Sequence, residues 1–227
     1  SDYNLQTTNL TWNSSTISTA NLTLATIGNV TKTYDGTANA TVSLANLSIT
    51  GLVAGDSLTL SNLTTAAFNS AHVANASNVT VGNLALATVA GNHTSVLSDY
   101  NLQTTNLTWN SSTISAANLT LATTGNVTKT YDGTANASVG LANLSITGLV
   151  SGDSLTLSNL TTAAFNSAHV ANASNVTVGN LALATVSGNR TSALSDYNLQ
   201  TTNLTWNSST ISAANVTLSA TGNISKV

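Results

Sequence analysis

The stretch SDYNLQTTNLTWNSSTIS, residues 1–18, returns unchanged at Ser98 and again at Ser195, so the chain repeats with a period of 97 residues. In the copy that starts at Ser98, apolar side chains fall at alternate positions. Tyr100 and Leu102 form one short run and Leu107 and Trp109 the next, with polar residues between them. A period of two belongs to a strand with one buried face, not to a helix. Working outward, residues 1–97 and 98–194 differ at eight positions: Thr19/Ala116, Ile27/Thr124, Thr41/Ser138, Ser43/Gly140, Ala54/Ser151, Ala90/Ser187, His93/Arg190 and Val96/Ala193. Near-identical neighbours are the signature of an array in which each unit does the same mechanical job.

Composition narrows the class. The 227 residues suffice for two domains of about 100 residues each. Charged residues make up 5% of the chain, and Glu, Pro, Cys and Met are absent. Apolar residues reach 41% and are regularly spaced, which favours a folded chain over a disordered one. A net charge of −3 offers no basic patch for nucleic acid or for an anionic membrane. No apolar run approaches the roughly 18 residues of a membrane span. Without Cys there is no disulfide framework and no thiolate metal site.

Along one repeat, short alternating runs are broken by Gly, Asn, Asp and Ser. Asn21–Ile27 reads as a strand with Leu22 and Leu24 inward, and Asn29–Tyr34 continues it. Tyr34-Asp35-Gly36-Thr37 reads as a turn. Thr41–Thr50 is expected to be a second strand region, followed by a loop over Gly51–Asp56 and a strand over Ser57–Leu63. Phe68 and its repeat mate Phe165 are core anchors. Asn69–Ser77 is a connection or a single helical turn. Asn78–Val89 places Val79 and Val81 on one parity and Leu84 and Leu86 on the other, which predicts a bulge or bend at Gly82-Asn83.

The run Lys32-Thr33-Tyr34-Asp35-Gly36-Thr37 resembles the signature of YDG-type repeat domains of bacterial surface adhesins. Ile49–Asp56, Phe68, Val79–Val81 and Asp99–Leu102 follow in the family's order, and the second unit repeats the set from Lys129 to Leu199. The high Asn content is a departure from a generic member. The resemblance implies an all-β fold of tandem small β modules, β-grasp-like or sandwich-like, forming an elongated rod. It also implies the setting of high-molecular-weight adhesins, many of them exported by two-partner secretion. A parallel β-solenoid is the alternative fold, although it would show a period near 20 residues. The phase of the family pattern sets the modules at 20–116 and 117–213. Residues 1–19 then read as the C-terminal part of a preceding module, and 214–227 as the first strand of a following one.

One chemical signal stands out. Asn-x-Ser/Thr occurs at 24 of 31 Asn residues, where chance would give about nine. The residues are Asn9, Asn13, Asn21, Asn29, Asn39, Asn46, Asn62, Asn75, Asn78, Asn92, Asn106 and Asn110 in the first part of the chain. Asn118, Asn126, Asn136, Asn143, Asn159, Asn172, Asn175, Asn189, Asn203, Asn207, Asn215 and Asn223 follow. The middle residue is commonly apolar, as in Asn29-Val30-Thr31. On a strand that turns Asn and the hydroxyl residue outward and the apolar residue inward. Dense N-glycosylation would then supply the solubility that charge usually supplies. The resemblance supports it, since some high-molecular-weight adhesins carry sugars at such sequons. The competing reading is a polar strand face with side-chain ladders.

Other constellations are thin. His72, His93 and His169 are scattered, and Asp35, Asp56 and Asp99 lack the spacing of a calcium loop, so no metal or other cofactor is expected beyond covalent N-linked sugars. Trp12, Trp109 and Trp206 recur at one repeat position and read as packing residues. No catalytic set is visible, so an enzyme is not expected. The expected role is the structural shaft of a glycosylated extracellular adhesin or fibre at a bacterial cell surface, for attachment or for cell–cell or matrix linkage. Its partners would be neighbouring repeats, other copies of the chain, and a host or matrix surface. The rivals are a glycan- or matrix-binding module and a self-assembling sheath or surface-layer protein.

Overall fold

The structure is a computed structural model and describes residues 2–226 except 4, 5, 7, 8 and 189. Among the described residues the chain forms twenty short strands and six 3-10 turns, with no α-helix. It is all-β and built of tandem small modules, as the sequence predicts. The sheets are two or three strands wide. They combine antiparallel ladders with single parallel pairs, and the described residues form no stack of parallel coils such as a solenoid requires.

The chain divides into two compact units. Unit 1 comprises Ser1–Val30, Asn39–Asn69 and Ser77–Thr113. In it the strand Ala20–Thr26 pairs antiparallel with Leu47–Thr50 and parallel with Tyr100–Leu102. The burial of Ala20–Thr26 alternates as the sequence implies: Leu22 and Leu24 are buried, and Asn21 and Thr23 exposed. The strand Asn78–Val81 lies between Ala67–Phe68 and Leu107–Asn110, which places Val79 opposite both Phe68 and Trp109. A two-stranded ladder joins Asp56–Ser61 to Ala85–Gly91.

Unit 2 comprises Ile114–Val227 together with two short segments from the first repeat, Thr31–Ala38 and Ser70–Ala76. The same pairings recur 97 positions on, with Val176 opposite Phe165 and Trp206. In addition, Thr128–Thr130 runs parallel to Thr210–Ser212. Its core gathers Leu121, Phe165, Val176, Val178, Trp206 and Ile211, all buried. Trp206 is fully enclosed, and its indole N–H donates to the Asn143 carbonyl at 3.2 Å, so the polar edge of the largest core side chain is satisfied. Trp109 makes the same bond to the Asn46 carbonyl in unit 1.

One local expectation needs correction. Thr41–Thr50 is a strand only over Leu47–Thr50, because Leu44–Asn46 forms a 3-10 turn instead. The Asn46 side-chain oxygen accepts the Ser43 backbone N–H at 2.9 Å, a local bond that competes with strand pairing. At Gly82-Asn83 the expected bulge or bend is a bend, at which the chain changes sheet. Asn78–Val81 and Ala85–Gly91 lie in different sheets, and Asn83 turns the chain at φ 54°. A bulge lies in the Asp56–Ser61 ladder, where the register shifts between Thr59 and Leu60.

Gly148 is dictated by space, as is its repeat mate Gly51. Gly148 has φ +89°, and a Cβ there would overlap the backbone oxygen of Asn118 on the adjacent strand. Gly148→Ala therefore lowers stability in chemical denaturation, whereas Gly125→Ala, at a glycine with open space around it, costs only the strain of its positive φ. Trp206→Ala lowers stability by about 3–5 kcal/mol in the same assay. An unchanged midpoint for Trp206→Ala would contradict its place in the core.

Candidate functional site

Six of the described sequon asparagines lie on strands, Asn21, Asn78, Asn110, Asn118, Asn175 and Asn207, and the others lie in turns, bridges and connecting segments. Of the 24 sequon asparagines, 19 are exposed; Asn46, Asn78, Asn143 and Asn175 are partly buried; Asn189 lies outside the described residues. Asn21-Leu22-Thr23 shows the local reason. Leu22 is fully buried, so the alternation turns the amide and the acceptor hydroxyl to the other face. The amides are not all equally available. Asn62 sits at φ 63° and spends one Nδ2 hydrogen on the Asn83 carbonyl at 2.7 Å, and Asn159 does the same with Asn180. At Asn21 and Asn118 the oxygen is the engaged atom, accepting from Gln103 and Gln200.

The YDG turn is a compact charged knot. Lys129 Nζ donates to Asp132 at 2.7 Å, to the Thr134 hydroxyl at 3.0 Å and to the Asn136 carbonyl at 3.0 Å. The Asp132 carboxylate also accepts the Thr134 backbone N–H at 2.9 Å, an Asx turn closed over Gly133 at φ +81°. Lys129 and the Thr134 donors hold the Asp132 carboxyl down to about 2. In the first repeat Lys32 and Thr37 make the matching bonds to Asp35. Partial burial pushes Asp35 upward, but those bonds outweigh it and keep its carboxyl below the usual range.

A second polar cluster was not legible in the sequence. In unit 2 the Asp153 carboxylate accepts from Tyr197 at 2.5 Å and from Ser192 at 2.6 Å. Ser192 spends its proton on Asp153, so Tyr34 donates to the Ser192 oxygen at 2.8 Å. The rings of Tyr34 and Tyr197 meet edge to face at 5.3 Å. Burial, with the Asp153 carboxylate adding to it, pushes the Tyr197 hydroxyl well up. Beside them His72 Nδ1 lies 2.8 Å from Asp196 Oδ2, and the Val73 backbone N–H donates to Asp196 Oδ1 at 2.8 Å. His72 and Asp196 are 124 residues apart, and no short-range pattern announces the pair. In unit 1 the matching tyrosine, Tyr100, donates to Asp56 at 2.6 Å, and hydrogen bonds from Ser95 and Tyr100 hold the Asp56 carboxyl below its usual range.

The remaining sequence candidates fall into separate roles. Asp99 caps a 3-10 turn by accepting the Val96 N–H. His93 Nδ1 lies 3.5 Å from Asp56, and His169 is exposed. Among the described residues no group of three or more His, Asp or Glu side chains could hold a metal. Trp109 and Trp206 are core residues, whereas Trp12 is 75% exposed. Among the described residues no helix is long and apolar enough to cross a membrane.

Comparison with known proteins agrees with the motif. The family model described as YDG domain matches residues 18–107 and again residues 115–205. No curated protein and no solved structure matches the chain.

The charged knot makes a direct prediction about acid. A carboxyl lowered on folding contributes stability that is present above about pH 4 and is lost as pH falls through the folded value, here about 2. In an NMR titration the Asp132 carboxyl has its midpoint near 2, and Lys129→Met moves it up toward about 4. A midpoint near 4 in the parent chain would contradict the knot.

Proposed function

This chain belongs to the YDG domain family, and on that footing we propose that it is a structural shaft segment of a bacterial extracellular adhesin or fibre, glycosylated along its length and without enzymatic activity. The observation that carries this reading is the outward placement of the sequon asparagines. None of the 23 described ones is buried, although 41% of the chain is apolar. A surface of Asn, Ser and Thr with so few charges has little electrostatic protection against association. Sugars on those amides would provide it, and would hinder proteases from reaching strand edges. Duplication fits the same reading. The eight differences between repeats leave every sequon intact: Thr41/Ser138 exchanges one acceptor hydroxyl for another, and His93/Arg190 changes only a middle position.

The chain in this reading acts through length and surface. Each repeat adds a packed module, and the modules together hold a binding element away from the cell or link one cell to another or to matrix. The sugar is the only covalent addition the role needs.

The test is the intact mass of the chain purified from the cells that produce it. The expected result is a mass above the 22.9 kDa of the bare sequence, with glycopeptides at several sequons, Asn21 and Asn118 among them. A mass equal to that of the bare sequence would overturn the glycosylated part of the reading.

A further inference from the structure

The YDG turn requires two residues that are reactive side by side. Asp132 is needed because its carboxylate accepts the Thr134 backbone N–H at 2.9 Å, and Gly133 because the chain turns there at φ +81°. Asp35 and Gly36 do the same in the first repeat, with φ +77° at Gly36. An aspartate followed by glycine is open to backbone rearrangement, since no side chain on the glycine hinders its nitrogen. The Gly133 nitrogen bonds to Asp132 Cγ and loses its proton, and one carboxyl oxygen leaves as water, which closes a five-membered imide. Water then adds back. Opening at the Asp132 main-chain carbonyl routes the backbone through Cβ and Cγ and leaves an isoaspartate of unchanged mass. For an oxygen to leave as water, the carboxyl must first be neutral.

The knot around the turn opposes that step. Three donors converge on one oxygen, Asp132 Oδ1: Lys129 Nζ at 2.7 Å, the Thr134 backbone N–H at 2.9 Å and the Thr134 hydroxyl at 2.9 Å. On Asp35 Oδ1 the same three come from Lys32 at 2.6 Å, the Thr37 N–H at 2.9 Å and the Thr37 hydroxyl at 2.8 Å. Each favours the carboxylate over the acid. Lys129 is itself anchored, by the Thr134 hydroxyl and the Asn136 carbonyl, so its charge stays beside Asp132. Enclosure contributes little. The Asp35 and Asp132 side chains are 56% and 55% exposed, and those of Lys32 and Lys129 are 16% and 17% exposed. The figures agree between repeats, so the geometry belongs to the motif and not to its surroundings. At the first site a further cation is near, since Arg190 Nη1 donates to the Gly36 carbonyl at 3.2 Å. Asp132 is therefore the simpler site to test.

We propose that Asp35–Gly36 and Asp132–Gly133 are latent isomerisation sites, and that Lys32 and Lys129 suppress the reaction by pinning each carboxylate in its salt bridge. The folded Asp132 carboxyl lies at about 2 against an ordinary 3.8, so its neutral share near pH 7 is about 60-fold smaller than in an unfolded chain. An isoaspartate at this turn inserts one extra backbone carbon shortly before Asn136, which bridges to Ala164 on the Phe165 strand. The lesion thus displaces a segment that packs against the core. Lys and Thr of the motif preserve the turn that Asp and Gly form. None of this requires sugar on the sequons.

The test ages the whole chain in mildly acid buffer, digests it, and counts isoaspartate at Asp35 and at Asp132 by mass spectrometry with electron-transfer fragmentation. An unfolded synthetic peptide of residues 127–137 is aged beside it. The parent chain is expected to isomerise at least tenfold more slowly than the peptide. Lys129→Met speeds the reaction at Asp132 at least tenfold and leaves Asp35, in the same molecule, at the parent rate, which excludes general unfolding as the cause. The pH profile separates charge from mere loosening. In the parent the rate falls as pH rises above about 2, whereas in Lys129→Met the fall begins near 4. Should Lys129→Met fail to fold, Lys32→Met gives the same acceleration read at Asp35. A parent chain that isomerises as fast as the peptide, a Lys variant that folds with an unchanged or lower rate, or an acceleration with an unmoved pH profile would each overturn the proposal.

Discussion

The structure depends on burying one large indole in each module with its polar edge satisfied. Trp206 packs among Phe165, Val176 and Ile211, and its N–H reaches the Asn143 carbonyl; Trp109 takes the matching place in the first repeat. With no cysteine in the sequence and no metal cluster among the described residues, little else holds strands this short. The Trp strand pairs with Asn175–Val178, which pairs in turn with the Phe165 strand, so three of the largest apolar contributions meet in one sheet. The Asn143 carbonyl that receives the indole ends a 3-10 turn leading into Leu144–Thr147, and the bond thereby ties a second sheet to the first.

The same constraint explains the surface. Once alternate residues are committed inward, the others must be polar, and this chain fills them with Asn, Ser and Thr. The Thr59–Thr88 and Thr156–Thr185 hydroxyl pairs show how such a face contributes to the ladders by itself. The charged groups are reserved for turns and joints. Lys129 and Asp132 close the YDG turn, while Asp153 and Asp196 are enclosed beneath tyrosine and histidine donors.

Much of this was legible in the sequence, for physical reasons that can be named. Leu22 and Leu24, Val79 and Val81, and Leu107 and Trp109 are buried because a period of two in one short strand is enough to specify a face. The turn at Gly36 and the core role of Phe68 followed from single-residue chemistry. The 3-10 turn at Leu44–Asn46 was missed because a side-chain bond from Asn46 back to Ser43 outcompetes pairing, and alternation does not register it. The parity shift at Gly82-Asn83 left a bulge and a bend both open, because each shifts parity, and the structure has the bend. The His72–Asp196 pair and the Tyr34–Ser192–Asp153 chain were out of reach, since they join residues more than 100 positions apart. The signal that could have hinted at them is the recurrence of Tyr, His and Asp at fixed repeat positions in a chain otherwise so poor in charge.

The repeat is a β module that carries its asparagines outward, and the proposed role makes those asparagines attachment points for sugar. A density map of the chain taken from its producing cells tests this most directly, read at Asn21 and Asn118, where the amide oxygen is engaged by Gln103 and Gln200. Sugar at these asparagines gives continuous density extending from Nδ2 away from the sheet at both positions. Bare side chains at both, with each amide nitrogen engaged in a ladder to a neighbouring strand, would contradict it.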